Sequence, residues 1–262
     1  MSTNCYNALA PLYDELLFDA DYPALVSFYK TVFAQFGKTP IRSIVDLGCG
    51  TGKLCALLAA EGYDITGVDA SAEMLALAQA RTACFPGVLL LEQDITKLDL
   101  YDVADVMVSS FDCLNYITSP QALSACFDRV ALFLRDNGLF LFDVNTKYKF
   151  EHVFAQQSYI LQNNTAFCAW ENDYIPKTGI CHFYLTLFRK NPNGTWERAQ
   201  EYQKERMYTD RILQRRLKKS GFEILGVYAD TSFSKTGPTD ERQYYVCRRL
   251  PRTQTGERIQ KP

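Results

Sequence analysis

Val45-Asp-Leu-Gly-Cys-Gly-Thr-Gly-Lys-Leu54 is the stretch on which the reading of this 262-residue chain turns. A strand-like run enters three alternate glycines, Gly48, Gly50 and Gly52, and a helical pattern leaves them. Glycines so placed allow a tight turn and let a ligand approach the backbone. Dinucleotide-binding folds use the spacing G-x-G-x-x-G to seat a pyrophosphate at a helix N-terminus. Here Lys53 stands where the third glycine of that spacing would be, and Asp46 precedes the loop. A carboxylate there opposes a pyrophosphate but suits a cationic amino-acid moiety, so the loop favours a zwitterionic ligand.

Outward from the loop, short β-like runs alternate with helical patterns. The runs are Ile41–Leu47, Asp64–Val68, Val88–Glu92, Ala104–Ser109 and Leu139–Val144. Between them lie helices predicted over Lys53–Glu61, Ala72–Arg81 behind the N-cap Ser71, and Pro120–Asp136 behind Ser119. This alternation predicts a parallel sheet covered by helices on both faces. Asp21–Phe36 reads as an amphipathic helix ended by Gly37. From about Lys147 to Met207 the pattern becomes antiparallel, with a turn at Asn191-Pro-Asn-Gly194. The α/β rhythm then resumes with a helix over Asp210–Ser220 and strands over Phe222–Tyr228 and Gln243–Arg248. The chain therefore divides into an α/β domain (1–146 and 208–250), a β-rich insertion (147–207) and a polar tail (251–262).

Composition narrows the class. A hydrophobic fraction of 47% and a charged fraction of 22% are those of a soluble globular protein. The net charge of −2 offers no field to draw in a polyanion, so no nucleic-acid partner is expected. The basic cluster Arg211, Arg215, Arg216, Lys218 and Lys219 reads as a solvated helix face. No apolar run is long enough to span a bilayer, and no signal peptide is visible at the N-terminus. Nine cysteines without a C-x-x-C pair read as reduced thiols of a cytoplasmic protein rather than as a metal site. A monomer or homodimer is expected.

Asp46-Leu-Gly-Cys-Gly-Thr-Gly52 resembles the first motif of the class I S-adenosylmethionine-dependent methyltransferases. The resemblance runs on through residues 6–146 and 208–248. It is similar to the small-molecule branch that includes glycine and amino-sugar N-methyltransferase-like enzymes. It implies a Rossmann-like sheet of seven mostly parallel strands, the last antiparallel, with an insertion forming a substrate lid. It implies a cofactor site of Asp46, Gly48, Cys49, Gly50, Gly52, Asp69, Ala70, Met74, Gln93, Asp94, Ile95, Ser110 and Phe111. In that site Asp69 accepts from both ribose hydroxyls, Met74 packs on adenine and Asp94 meets its amino group. Tyr6 and Tyr13, in Tyr6-x3-Ala10-x2-Tyr13-Asp14, resemble the segment that covers the cofactor. Plainer readings remain beside these: Asp94 as a turn residue, Met74 as core, and both tyrosines as helix packing.

Methyl transfer from a sulfonium is an in-line displacement, so the protein mainly supplies alignment and excludes water. A base is needed only when the nucleophile arrives protonated. Candidates at the acceptor are Tyr13, Asn115, Tyr116 and His152, with Trp170, Glu171 and Tyr174 from the lid; Trp170 reads equally as the lid's own core. The expected reaction methylates an N or O atom of a small molecule. Two other readings stand beside it: a lapsed S-adenosylmethionine-binding protein, and an NAD-dependent oxidoreductase, which lacks its Tyr-x3-Lys pair here.

Overall fold

The computed structural model describes residues 9–16 and 21–251. The expected alternation appears as β1 (Ser43–Leu47), α3 (Lys53–Ala60), β2 (Asp64–Asp69), α4 (Ala72–Thr82), β3 (Val88–Glu92), β4 (Ala104–Ser109), α5 (Pro120–Phe133) and β5 (Leu134–Asn145). Two helices precede it, α1 (Ala10–Leu16) and α2 (Tyr22–Phe36). After the small sheet come α6 (Asp210–Lys219), β10 (Phe222–Tyr228) and β11 (Arg242–Arg249). The caps are chemical. Asp21 accepts the Ala24 N–H at 2.9 Å, Ser71 that of Met74 at 3.2 Å and Ser119 that of Ala122 at 3.3 Å.

The large sheet has the order β10-β11-β5-β4-β1-β2-β3, with β11 antiparallel to both its neighbours. This is the Rossmann-like seven-stranded sheet with an antiparallel last strand. One face buries Phe127, Val130, Leu213 and Leu217 against Phe140 and Phe142; the other buries Leu25, Phe28, Leu54 and Leu58 against Ile44 and Val106. Because the strands are covered on both faces, their central residues are apolar in both phases. The strand order reverses between β1 and β4, which opens a crevice at the carboxyl ends of those strands. The glycine loop and the turn after β4 border that crevice.

One element ends earlier than its pattern suggests. The helix expected to Asp136 stops at Phe133, where Leu134 turns extended (φ −90°, ψ 144°) and pairs with Ala104. Asn137 then takes φ 66°, and a Cβ on Gly138 would stand 2.9 Å from the Asp105 carbonyl oxygen. The result is an irregular step in β5 that brings the strand back into register. Leu134 suits either periodicity, so the sequence carries no signal for the switch.

The segment after β5 passes through a π-helical turn, Lys149–Phe154, into a four-stranded antiparallel sheet. Its strands run in order: β6 (Ser158–Gln162), β7 (Ala166–Ile175), β8 (Ile180–Lys190) and β9 (Trp196–Arg206). The inner face of this sheet shares a core with α1, in which Leu9, Leu12 and Leu16 meet Phe150, Cys168 and Phe183. The edge strand β9 leaves the charged Arg198 exposed, a side chain of the kind that discourages edge-to-edge pairing. Among the described residues no helix is long and apolar enough to cross a membrane, and the eight described cysteines are free thiols.

Candidate active site

The glycine loop is shaped by contacts a side chain would destroy. Gly48 has φ 79°, and a Cβ there would lie 2.3 Å from the Cys113 sulfur; at Gly52, φ 73°, it would lie 2.8 Å from the Ala78 Cβ. The Gly48 N–H donates to the Val68 carbonyl at 2.7 Å, tying the loop to the end of β2. There the Asp69 carboxylate accepts the N–H of Gly50 at 2.8 Å and of Ser71 at 2.9 Å. Burial pushes the Asp69 carboxyl above its ordinary value. Asp46, only 2% exposed, accepts the Cys55 thiol at 3.4 Å. Burial, with the Asp69 charge adding to it, raises the Asp46 carboxyl to about 7.

These groups border a cavity of about 370 Å³. From the expected cofactor set, Asp46, Gly48, Cys49 and Gly50 line it on the loop side, and Asp69, Ala70 and Met74 beside β2 and α4. Gln93, Ile95, Ser110 and Phe111 complete that set at the ends of β3 and β4. Gly52 and Asp94 are absent from the lining. Gly52 packs on α4, and Asp94 Oδ1 caps the Ile95–Lys97 turn by accepting the Thr96 N–H (2.9 Å) and hydroxyl (2.8 Å).

The other end of the cavity is aromatic. Tyr13 from α1, Tyr22 from α2, Phe111 and Tyr116 from the turn after β4, and Tyr202 from β9 stand around it. The rings of Tyr22 and Phe111 are 4.8 Å apart. Burial pushes the Tyr13, Tyr22 and Tyr202 phenols upward. Phe111 and Asp112 both take φ 55°, a left-handed conformation that a Cβ disfavours. The Asp143 carboxylate holds this corner by accepting the N–H of Phe111 at 2.7 Å and of Asp112 at 2.8 Å. Arg242 bridges Asp143 and Asp112, reaching Asp112 at 2.6 Å. Over the corner, the Tyr116 hydroxyl donates to Gln203 Oε1 at 3.1 Å, so β9 roofs this end through Tyr202, Gln203 and Lys204.

The expected acceptor residues divide. Tyr13 and Tyr116 line the cavity. Asn115 is fully buried outside it: its amide donates to the Arg206 carbonyl at 2.9 Å and accepts the Asn145 N–H at 3.0 Å, joining the turn to β5 and β9. His152 lies on the π-helical turn, its ring 4.7 Å from Tyr148, and is absent from the lining. Tyr6 lies outside the described residues. Trp170 and Tyr174 belong to the small sheet's own core and Glu171 is exposed, so the roof is made by β9 instead. The usable signal was Glu201-Tyr-Gln-Lys-Glu205, polar in both phases, whose inward phase is set only by the packed sheet.

One tie was not anticipated. Asp14 on α1 pairs with Arg81 at 2.6 Å and accepts the Thr51 hydroxyl at 3.1 Å, while Arg81 donates to the Thr51 carbonyl at 2.5 Å. The helix that carries Tyr13 is thereby fastened to the glycine loop.

Comparison with known proteins gives a consistent answer. Residues 44–138 match the family model described as a methyltransferase domain. The chain is 31% identical over 245 residues to a Geobacillus sp. (strain WCH70) protein named "Putative methyltransferase", covering 93% of this chain and 99% of that one. It superposes with TM-score 0.85, at 28% identity, on an S-adenosylmethionine-dependent methyltransferase from Clostridium acetobutylicum, covering 95% of this chain and 100% of that chain. The S-adenosylmethionine-bound amino pentose methyltransferase CalS10 of Micromonospora echinaspora shares the fold at TM-score 0.68 and 16% identity, over 88% of this chain and 93% of that one. The residues fit such a donor: a buried carboxylate before the glycine loop, a second at the end of β2, and a cavity joining both to an aromatic chamber. The chain belongs to the S-adenosylmethionine-dependent methyltransferases.

Proposed function

We propose that the protein transfers the donor's methyl group to an amine nitrogen of a small molecule held in the aromatic end of the cavity. The observation that carries this reading is that, among the described residues, the aromatic end of the cavity offers no histidine and no phenol or thiol lowered toward neutrality, while Asp46, raised to about 7, stands on the loop side with the donor's amino-acid end. Among the described residues that line the cavity there is no histidine. Tyr13, Tyr22 and Tyr202 are pushed away from titrating near neutrality, and burial does the same to the Cys113 thiol. A hydroxyl nucleophile needs a base to leave it an anion; an amine needs only a free lone pair. The fold relative KedS8, a sugar N-methyltransferase, agrees with this choice.

S-adenosylmethionine supplies an activated methyl group, and the remaining work is binding and alignment. Asp69 receives the two ribose hydroxyls and Asp46 faces the cationic amino-acid end. Met74, Gln93 and Ile95 enclose the adenine. Phe111, Tyr13, Tyr22 and Tyr116 orient the neutral amine, and their rings favour the positive charge that develops on its nitrogen as the methyl group transfers. The β9 roof and α1 exclude water from the reacting atoms, which makes the 147–207 segment a lid. The free thiols suit a reducing, cytoplasmic setting. The test is incubation of the protein and methyl-labelled donor with a fractionated metabolite extract. Label on the nitrogen of a small amine is the expected result. Label confined to hydroxyl oxygens, protein or RNA would overturn the reading.

A further inference from the structure

The roof of the acceptor end carries a chain of hydrogen bonds whose direction is fixed from one end. The Leu9 N–H, at the entry to α1, donates to Glu201 Oε2 at 2.8 Å. Glu201 Oε1 accepts from the Gln203 amide nitrogen. Gln203 Oε1 accepts the Tyr116 hydroxyl at 3.1 Å. Glu201 and Gln203 stand in the buried phase of β9, 8% and 3% exposed, and Gln203 and Tyr116 both line the cavity.

The polarity of the chain follows from its first links. A backbone N–H only donates, and a carboxylate only accepts. Glu201 therefore takes a donor on each oxygen, so Gln203 must turn its nitrogen toward Glu201 and its oxygen toward Tyr116. Facing that oxygen, the Tyr116 hydroxyl commits its single proton there. To a ligand in the cavity its oxygen then offers lone pairs only. Holding the roof down does not need this chain. Asn115 donates to the Arg206 carbonyl at 2.9 Å, and Arg206 Nε donates to the Thr118 carbonyl at 2.5 Å.

Resting on the reading that this end of the cavity holds an amine, we propose that Glu201 and Gln203 are positioning residues that make Tyr116 the acceptor of a substrate N–H, and that the substrate is therefore a primary or secondary amine. An amine that gives one hydrogen to Tyr116 keeps its lone pair free for the methyl carbon. As the N–C bond forms and the C–S bond breaks, positive charge moves to nitrogen. The N–H becomes a stronger donor, so its bond to Tyr116 strengthens in the transition state. The proton stays on nitrogen through the transfer and leaves to water afterwards. A Tyr116 hydroxyl turned the other way would donate to the lone pair and block it. A tertiary amine has no hydrogen to give, so methylation stops at the tertiary product.

The experiment reverses the chain without changing its shape. In Glu201→Gln the side-chain oxygen must still take the Leu9 N–H, which leaves an amide nitrogen facing Gln203. The Gln203 amide then turns over, and Tyr116 donates into the cavity. With S-adenosylmethionine and the amine found in the extract, Glu201→Gln should lower kcat about 10- to 100-fold, while S-adenosylhomocysteine affinity stays within about threefold of wild type. In a Tyr116→Phe background the same substitution should change kcat less than about twofold. The N,N-dimethyl form of the amine should not be methylated. In nitrogen-edited NMR spectra of the S-adenosylhomocysteine complex, a Gln203 side-chain amide proton, assigned by its loss in Gln203→Leu, should lie downfield in the wild type and move upfield in Glu201→Gln. An unchanged kcat in Glu201→Gln, an equal loss in the Tyr116→Phe background, a quaternary ammonium product or an unmoved Gln203 amide proton would overturn the proposal. If no amine is methylated, the fault lies with the acceptor reading, and the NMR comparison still decides whether the chain runs in this direction.

Discussion

Asp46 shows how much a single position conveys and how much it withholds. Its carboxyl before the glycine loop was readable as a partner for a cationic amino-acid moiety. Its depth was not, because the Cys55 thiol and the Asp69 charge that surround it depend on packing. The raised folded-state value has a definite sign. Unfolded, Asp46 titrates near 3.8; folded, at about 7, so the folded protein holds the extra proton between these values. Stability of the donor-free protein should therefore be greatest below about 4, as far as Asp46 contributes, and decline as pH rises through about 7. A cation beside Asp46 releases that proton. Donor affinity should then rise with pH by up to about tenfold per unit below 7, and Asp46→Asn should remove that part of the dependence. Calorimetric titrations at roughly pH 6 and pH 8 on both proteins check it; parallel pH profiles would mean that Asp46 stays neutral on binding. By contrast, Asp112, Asp143 and Arg242 carried no sequence signal. They come from three separate elements, and only the folded chain shows that they touch.

At the scale of elements, strands and helices of the α/β part were legible because each buries a regular face. The β3, β4 and β10 boundaries coincide with the apolar runs, the expected caps Ser71 and Ser119 act as caps, and Asp21, read as the first residue of its helix, caps it instead. The π-helical turn was not legible, since Lys149–Phe154 has no periodicity of its own, nor was the junction at Leu134. The fastening of α1 also escaped notice, although Asp14 lies in the motif that resembled a cofactor cover. Arg81 looked like an ordinary surface residue near the end of a helix, yet it holds Asp14 and Thr51 together. With both partners about one-third exposed, this latch is worth little for global stability. Its effect should appear in cofactor exchange. Arg81→Gln should speed donor dissociation about 3- to 10-fold with little change in melting temperature, and salt should speed it in the wild type more than in the variant. An unchanged dissociation rate in stopped-flow displacement would show that α1 does not control release.

Over the whole molecule, the two sheets answer different questions. The large sheet places Asp46, Asp69 and the β4 turn at one edge because its strand order reverses there, and the glycine spacing announced that edge in advance. The small sheet was foreseen as a β-rich lid, but the strand that forms the roof was not. Its inner face packs on α1, and the tie from the Leu9 N–H to Glu201 at 2.8 Å spans 192 residues of sequence. No local pattern encodes a contact of that length. The central claim is that the cavity joining these parts holds an S-adenosyl ligand by its ribose at Asp69. Calorimetric titration of the wild type and Asp69→Ala with S-adenosylhomocysteine, with NADH as control, tests it most directly. The expected result is binding of S-adenosylhomocysteine and not NADH, weakened roughly 10- to 150-fold by the substitution, the equivalent of about 1.5–3 kcal/mol for hydrogen bonds to a charged group. Unchanged affinity in a folded Asp69→Ala protein, or binding of NADH alone, would contradict it.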